Sequence, residues 1–163
     1  MLRATRPMLW ASLLLFGCAG GEVYGEPLPG DVAYEDFQAS VYPLLLRDCA
    51  FAECHGGEHR FFQVFGPGRV RLDPTLKPAD PASEAEIRRS YERALSMVVT
   101  DARLDHSLLL TKPLEPNAGG QGHKGTDMLG RNVYRSKSDP SYAAIAAWAD
   151  AVVHGAPAAG AGR

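Results

Sequence analysis

The clearest pattern in the chain is a set of three segments with apolar residues at helical spacing. The first segment runs from Tyr34 to about Asp48. Its apolar residues recur at i, i+4, i+7 and i+8, which predicts one apolar helix face; they are Phe37, Val41, Leu44 and Leu45. Pro43 lies inside this pattern, so we expect a kink or a restart near Tyr42.

The second helix is predicted to begin at Ser83. Glu86 follows three residues later, the spacing of a capping box. Apolar residues then repeat at helical spacing as far as about Thr100, and they are Ile87, Tyr91, Leu95 and Val98.

The third helix has a strong start signal, with Asp139 or Ser138 as its N-cap and Pro140 in the first turn. Its apolar stripe consists of Tyr142, Ile145, Trp148, Ala149 and Val152. Gly155 lies just past the expected end of this helix.

The segments between these helices are mostly irregular. Val70 and Leu72 alternate with Arg69 and Arg71, which predicts a short half-buried strand. Residues 73–82 and 101–138 are expected to be loops, and so long an irregular segment in a small domain is typical of a functional region or of disorder. The pattern therefore predicts a mainly α domain with about three principal helices joined by long loops.

The first 17 residues resemble a signal peptide. Arg3 and Arg6 precede a short apolar run, Met8 to Phe16, which is too short to span a bilayer as a helix. Cys18 follows a small residue, as in the lipobox of bacterial lipoproteins, and the resemblance implies cleavage before Cys18 and lipid attachment to its sulfur. An ordinary secretory signal, with Cys18 incidental, is the alternative.

This N-terminus predicts four regions in the chain: a signal peptide (1–17), a lipidated and Gly/Pro-rich flexible tether (18–33), the folded domain (34–156) and a disordered tail (157–163). The expected location is the periplasmic side of a bacterial envelope membrane, with attachment through the lipid. Losing Arg3 and Arg6 changes the net charge from −2 to about −4. The chain has no basic patch of the kind that nucleic acid requires.

The residues that carry chemistry lie directly after the first predicted helix. Cys49 and Cys54 are separated by four residues, and His55 follows at once. Attachment of c-type haem uses two cysteine thioethers and the next histidine, most often as C-x-x-C-H, so the spacing here is two residues longer. The alternatives are a Cys49–Cys54 disulfide and a zinc site that recruits His59.

The residues around this motif resemble planctomycete-type cytochrome c domains. The resemblance rests on Val41-Tyr42-Pro43-Leu44-Leu45 before the motif, on Cys54-His55-Gly56 in the motif, and on a last helix with Tyr142, Trp148 and Gly155-Ala156. It implies one covalent haem c, held by Cys49 and Cys54, with His55 as the proximal iron ligand. The distal ligand would come from the loop before the last helix; His123 is favoured, and Met128 is the alternative.

The function expected from this motif is one-electron transfer, with a redox partner that the sequence does not identify. The chain has none of the nucleophile-elbow, zinc-protease or phosphate-loop motifs of common enzymes, so an electron carrier is favoured over a catalyst. The competing hypothesis is a haem-free envelope lipoprotein in which a Cys49–Cys54 disulfide supports a structural or interaction module.

Several other residues have two alternative roles or an expected solvent-exposed position. Three phenylalanines are expected at a haem edge or in the core: Phe61, Phe62 and Phe65. Arg69 and Arg71 could pair with haem propionates or lie on the outer face of a strand. The remaining histidines, His59, His106 and His154, are expected to be solvated.

Overall fold

The computed structural model describes residues 31–99, 103–123, 125–126 and 132–155 of the 163-residue chain. The fold is mainly helical, as the sequence predicts. Its helices are α1 (Asp31–Asp36), α2 (Tyr42–Asp48), α3 (Glu84–Leu95), α4 (Leu108–Thr111) and α5 (Pro140–His154). Within the described residues the extended structure is limited to one parallel bridge between Leu114 and Tyr134. None of the described helices is both long and apolar enough to cross a membrane.

The break expected near Pro43 is a π-helical turn. Residues Phe37–Val41 join α1 to α2 in this wider conformation, and the N–H group of Tyr42 bonds to the carbonyl of Phe37, five residues back. Proline has no N–H to donate and crowds the preceding helical turn, so the extra residue in the turn accommodates Pro43 without ending the helix.

The first helix begins at Asp31, three residues before the predicted start and within the segment assigned to the tether. This extension makes a contact with α5. The indole N–H of Trp148 donates a 2.8 Å hydrogen bond to the carbonyl of Ala33. The contact between α1 and α5 therefore extends beyond the apolar stripe that the sequence shows, which begins at Phe37.

Aromatic side chains join the three principal helical segments. Phe37 is fully buried, and its ring centroid lies 5.3 Å from those of both Tyr91 on α3 and Trp148 on α5. Offset and edge-to-face aromatic pairs at such distances add to the stabilisation from burial of apolar area. This cluster holds α2 in a fixed position, and α2 delivers the chain to Cys49.

The capping box of α3 is present as predicted, with Ser83 and Glu86 bonded to each other's backbone N–H groups. The helix ends at Leu95, earlier than the predicted end near Thr100, which itself lies outside the described residues. Two tight turns follow, in which Met97 and Val98 bond to carbonyls three residues back. These turns direct the chain toward α4.

The strand predicted around Val70 and Leu72 is wrong. Residues 69–72 are irregular, and Leu72 is 39% exposed. The buried side chain in this segment is Arg71, which donates to both carboxylate oxygens of Glu86, at 2.7 and 2.9 Å. The alternation of apolar and basic residues therefore reflects a buried ion pair and not the two faces of a sheet.

Candidate functional site

A cavity of about 1040 Å³ opens beside the end of α2. Its wall includes the four residues that the sequence assigns most directly to haem binding: Cys49, Cys54, His55 and His123. The volume is at the upper end of the range of small-molecule and cofactor pockets, about 300–1,000 Å³. The fold thus brings together residues that are up to 74 positions apart in the chain.

The segment between the cysteines is folded into compact turns. The N–H group of His55 donates to the carbonyl of Cys49 at 3.1 Å. The carbonyl of Phe51 accepts from the N–H groups of Cys54 and Gly56, at 2.8 and 3.0 Å. A Cβ atom on Gly56 would lie 2.2 Å from the carbonyl oxygen of Ala50, so the position after the histidine has no room for a side chain.

Both cysteines of the motif are free thiols in this structure. Burial raises the pKa of the Cys49 thiol to about 12, with smaller contributions from the neighbouring Asp48 and Cys54. Cys49 is therefore a protonated, weakly nucleophilic thiol in this state. Both sulfur-bearing side chains contribute to the cavity wall.

His55 is held with its imidazole in one tautomer. Its Nδ1 atom lies 2.9 Å from the carbonyl oxygen of Phe62, and because a carbonyl only accepts, Nδ1 carries the proton and Nε2 keeps its lone pair. The ring also packs edge-on against the Phe62 ring, with centroids 4.8 Å apart. Burial lowers the pKa of His55 below its usual value, so the imidazole is in the neutral form that metal ligation requires.

His123 has the same arrangement on another loop. Its Nδ1 atom lies 2.9 Å from the carbonyl oxygen of Gly125, so Nδ1 carries a proton and donates it, and this bond does not use the other ring nitrogen, Nε2. A hydrogen bond from the second ring nitrogen to a carbonyl is typical of metal-ligating histidines.

The rings of His55 and His123 lie close together, with centroids 5.8 Å apart and planes inclined by 37°. Metal–imidazole bonds are about 2 Å long, so two imidazoles on opposite sides of one metal ion have centroids about 6 Å apart. The distance between the two ring centroids is therefore of the size needed for both imidazoles to bind one metal ion.

The Gly-rich loop reaches this position because it folds back on α4. The N–H group of Gln121 bonds to the carbonyl of Thr111 at 3.0 Å, and that of Gly120 bonds to the carbonyl of Glu115 at 3.0 Å. A Cβ atom on Gly120 would lie 1.8 Å from the carbonyl oxygen of Leu114, so only glycine permits this approach. These contacts carry His123 to the cavity.

The cavity wall contains a polar network that sequence reasoning missed. Tyr134 is buried, and its hydroxyl donates to Asp48 at 3.0 Å. Arg47 donates to both carboxylate oxygens of Asp48, at 2.6 and 2.7 Å. Asp48 could have been found because it precedes Cys49 on the same helix end, whereas Tyr134 lies 86 residues from Asp48 and has no local signal.

The rim of the cavity is partly apolar and partly basic. Phe61 and Phe51 are 72% and 52% exposed, and both line the cavity. Arg60 and Lys112 are exposed cavity residues as well. Exposed cations beside exposed aromatic side chains suit a planar apolar ligand with anionic substituents, and haem is such a ligand.

The remaining predicted residues lie away from this wall or outside the described part. His59, His106 and His154 are exposed, and none of them lines the cavity. Arg69 and Arg71 do not line it either, and the pairing of Arg71 with Glu86 replaces the proposed pairing with a propionate. Cys18 and Met128 lie outside the described residues.

The zinc alternative with Cys49, Cys54 and His59 has no support in the described residues. No three histidine, cysteine, aspartate or glutamate side chains among them are grouped closely enough to hold a metal ion. Haem iron needs fewer protein ligands, because the porphyrin supplies four nitrogens and the protein only the axial positions.

Comparisons with known proteins give no further assignment. A scan against protein-family models, a search of curated proteins and a search of solved structures each find no match to this chain.

Proposed function

We propose that the chain is a cytochrome c-like electron carrier with one covalently bound haem. The observation that carries this proposal is the pair of imidazoles in the wall of one cavity, His55 and His123, whose ring centroids are 5.8 Å apart. Each ring uses Nδ1 to bond a backbone carbonyl, so each has Nε2 available for a metal. Haem c supplies reversible one-electron reduction at its iron when it is bound.

The chain's own residues would hold and orient this group. Cys49 and Cys54 would carry the thioether bonds, and His55 and His123 would be the axial ligands. The aromatic contact between Phe62 and His55 fixes the plane of the proximal ring. Lys112 and Arg60 at the rim would neutralise the propionates, and the apolar wall would exclude water from the iron and limit side reactions.

Membrane attachment is a second part of the proposal. We infer from the signal-like segment and from Cys18 that the protein is exported and tethered by a lipid on the periplasmic side of a bacterial envelope membrane. Electrons would then pass to a partner protein whose identity the described residues do not indicate.

The direct test is an absorption spectrum of the full chain produced in a bacterium with c-type haem maturation. We expect a Soret band that survives denaturation and extraction with acidic acetone. In the double variant Cys49→Ser/Cys54→Ser, the Soret band should no longer survive denaturation and extraction. The matched control His106→Ala changes an exposed histidine away from the cavity and should keep the band.

The same preparation distinguishes the competing function. A colourless protein whose intact mass and peptide map show a Cys49–Cys54 disulfide would contradict the haem proposal and support a haem-free structural module. Peptide mapping of the wild type also counts the thioethers, because each cysteine joined to haem resists alkylation.

A further inference from the structure

The two imidazoles of the site are held to different degrees, and His55 is the more firmly fixed. Its ring is bonded to the carbonyl of Phe62 and packed against the Phe62 ring. Its backbone is bonded at both ends, with the N–H group donating to Cys49 at 3.1 Å and the carbonyl accepting from Val64 at 2.8 Å. Movement of His55 would disrupt all of these contacts.

Among the hydrogen bonds of the described residues, the one that holds the His123 side chain comes from its own loop. Its ring hydrogen bond goes to Gly125, only two residues further along the chain. Within the described part of the protein, no backbone hydrogen bond joins residues 122, 123, 125 or 126 to another element, and Gln121 is the last anchored residue before them. A displacement of His123 would therefore break no backbone hydrogen bond among the described residues.

The cavity offers a small neutral ligand a suitable environment. Leu108, Leu109 and Val133 contribute to its wall and cannot form hydrogen bonds through their side chains. Beside these side chains a small neutral ligand needs no charged or hydrogen-bonding partner, whereas an anion would be favoured only near Arg60 and Lys112, which also line the cavity. The polarity and access of a distal pocket decide which ligands haem iron accepts.

We propose that His123 is an exchangeable axial ligand and that the reduced protein binds neutral diatomic ligands of the carbon monoxide type in its place. The inference rests on the proposed function, since it requires haem at this site. In the exchange, the bond from His123 Nε2 to iron breaks and a bond from the lone pair of the diatomic ligand forms. No electron is transferred, no proton is required, and His55 remains bound.

The experiment mixes the dithionite-reduced, haem-loaded full chain with carbon monoxide and follows the Soret band by stopped flow. Because His123 must leave first, the observed rate should rise with carbon monoxide concentration and then reach a plateau equal to the rate of His123 loss. The variant His123→Ala should show a rate that increases linearly with concentration and has no plateau.

A second variant tests the loop directly. A Cβ atom on Gly125 would lie 2.9 Å from Cε1 of His123, so Gly125→Ala must displace the imidazole. We expect the plateau to rise roughly tenfold, because a loss of ligand stability acts exponentially on the rate. The matched control is Gly68→Ala, at a positive-φ glycine outside the cavity wall with nothing within 4 Å of an added Cβ; it should leave the plateau unchanged.

Two results would overturn the inference; in both, the covalent haem on Cys49 and Cys54 would remain, but only the first would leave His123 as a ligand of its iron. One is a reduced wild type whose spectrum stays unchanged for hours under carbon monoxide while His123→Ala binds it at once, which would make His123 a permanent ligand. The other is a linear concentration dependence in the wild type, which would mean that His123 does not occupy the axial position. A chain without covalent haem would overturn both proposals together.

Discussion

Arg71 and Glu86 form a bidentate ion pair inside the protein, with N–O distances of 2.7 and 2.9 Å. The side chain of Glu86 is fully buried, and that of Arg71 is 8% exposed. Arg71 also donates to the carbonyls of Lys77 and Asp80. One guanidinium therefore fixes the irregular segment 71–80 to the start of α3.

Substitution of Arg71 by methionine should destabilise the protein severely, because it leaves the Glu86 carboxylate buried without its partner. We expect the midpoint of urea unfolding to fall several times further than in Arg89→Met. That control breaks the exposed pair of Arg89 with Glu92, in which both side chains are about half exposed, and exposed pairs contribute little. Equal losses in the two variants would show that the buried pair has no special role.

The stability of the fold should depend on pH through Glu86. Burial alone would raise the pKa of Glu86, but hydrogen bonds from Arg71 and from the N–H groups of Ser83 and Leu72 outweigh it and lower the pKa. A carboxyl with a lowered folded pKa contributes its full stabilisation above its unfolded pKa of about 4.3 and loses it as the pH falls through the folded value.

The free energy of unfolding, measured in urea between about pH 3 and pH 7, should therefore fall steeply below about pH 4.3. In Glu86→Gln this acid-side slope should be much shallower. Asp73→Asn is the comparison, since Asp73 is an exposed carboxyl whose pKa is lowered by hydrogen bonds from Thr75; it should flatten the slope less. An unchanged slope in Glu86→Gln would contradict the assignment.

Gly56→Ala should disrupt the turn that places His55. An added Cβ would lie 2.2 Å from the backbone oxygen of Ala50, which cannot move without displacing the cysteine loop. Overpacking of this kind costs about 3 kcal/mol or somewhat more. The control Gly155→Ala changes a positive-φ glycine with open space around it and should cost about 1 kcal/mol. Denaturant unfolding of both variants measures the difference.

The two cysteines should be chemically distinguishable in haem-free protein. Because burial raises the pKa of Cys49 to about 12, its thiolate population at neutral pH is lower than that of an ordinary cysteine by roughly three orders of magnitude. Alkylation with iodoacetamide at pH 7.5, followed by peptide mapping, should label Cys49 far more slowly in folded than in urea-unfolded protein. Equal rates in the two states would contradict the buried thiol.

Replacement of the distal ligand should change the reduction potential in a known direction. Methionine ligation raises the potential of haem iron relative to histidine ligation. Axial ligands set the potential of haem iron over a range of about 0.8 V. His123→Met should therefore raise the midpoint potential by on the order of 0.1 V. Potentiometric titration measures this shift, and the exposed His106→Ala variant should leave the potential unchanged. An unaltered potential in His123→Met would exclude His123 as an axial ligand.

Local chemistry made several elements predictable from the sequence. Pro43 indicated a break in the first helix, Ser83 and Glu86 marked the start of α3, and Asp139 marked the start of α5. Each of these signals acts within one helical turn and does not depend on the rest of the fold. The cysteine–histidine motif was visible for the same reason.

The features that were missed depend on contacts between distant residues. The strand around Arg71 was wrong because alternation cannot reveal a buried carboxylate 15 residues away. The resemblance already assigned His123 and His55 to one site, but the contact of Gly120 with Leu114 that brings the loop there has no periodic signal. The Tyr134–Asp48 bond likewise joins residues 86 positions apart. Tertiary packing, and not local propensity, determines these contacts.

The hydrogen bond from the His55 N–H group to the carbonyl of Cys49 has a consequence for the length of the cysteine loop. It closes the cysteine loop at its base, so the residues between the two cysteines form the turns above this bond. The number of residues in the loop therefore does not determine the orientation of the His55 side chain. A change in the length of this loop should therefore leave the imidazole of His55 in place as long as this hydrogen bond forms.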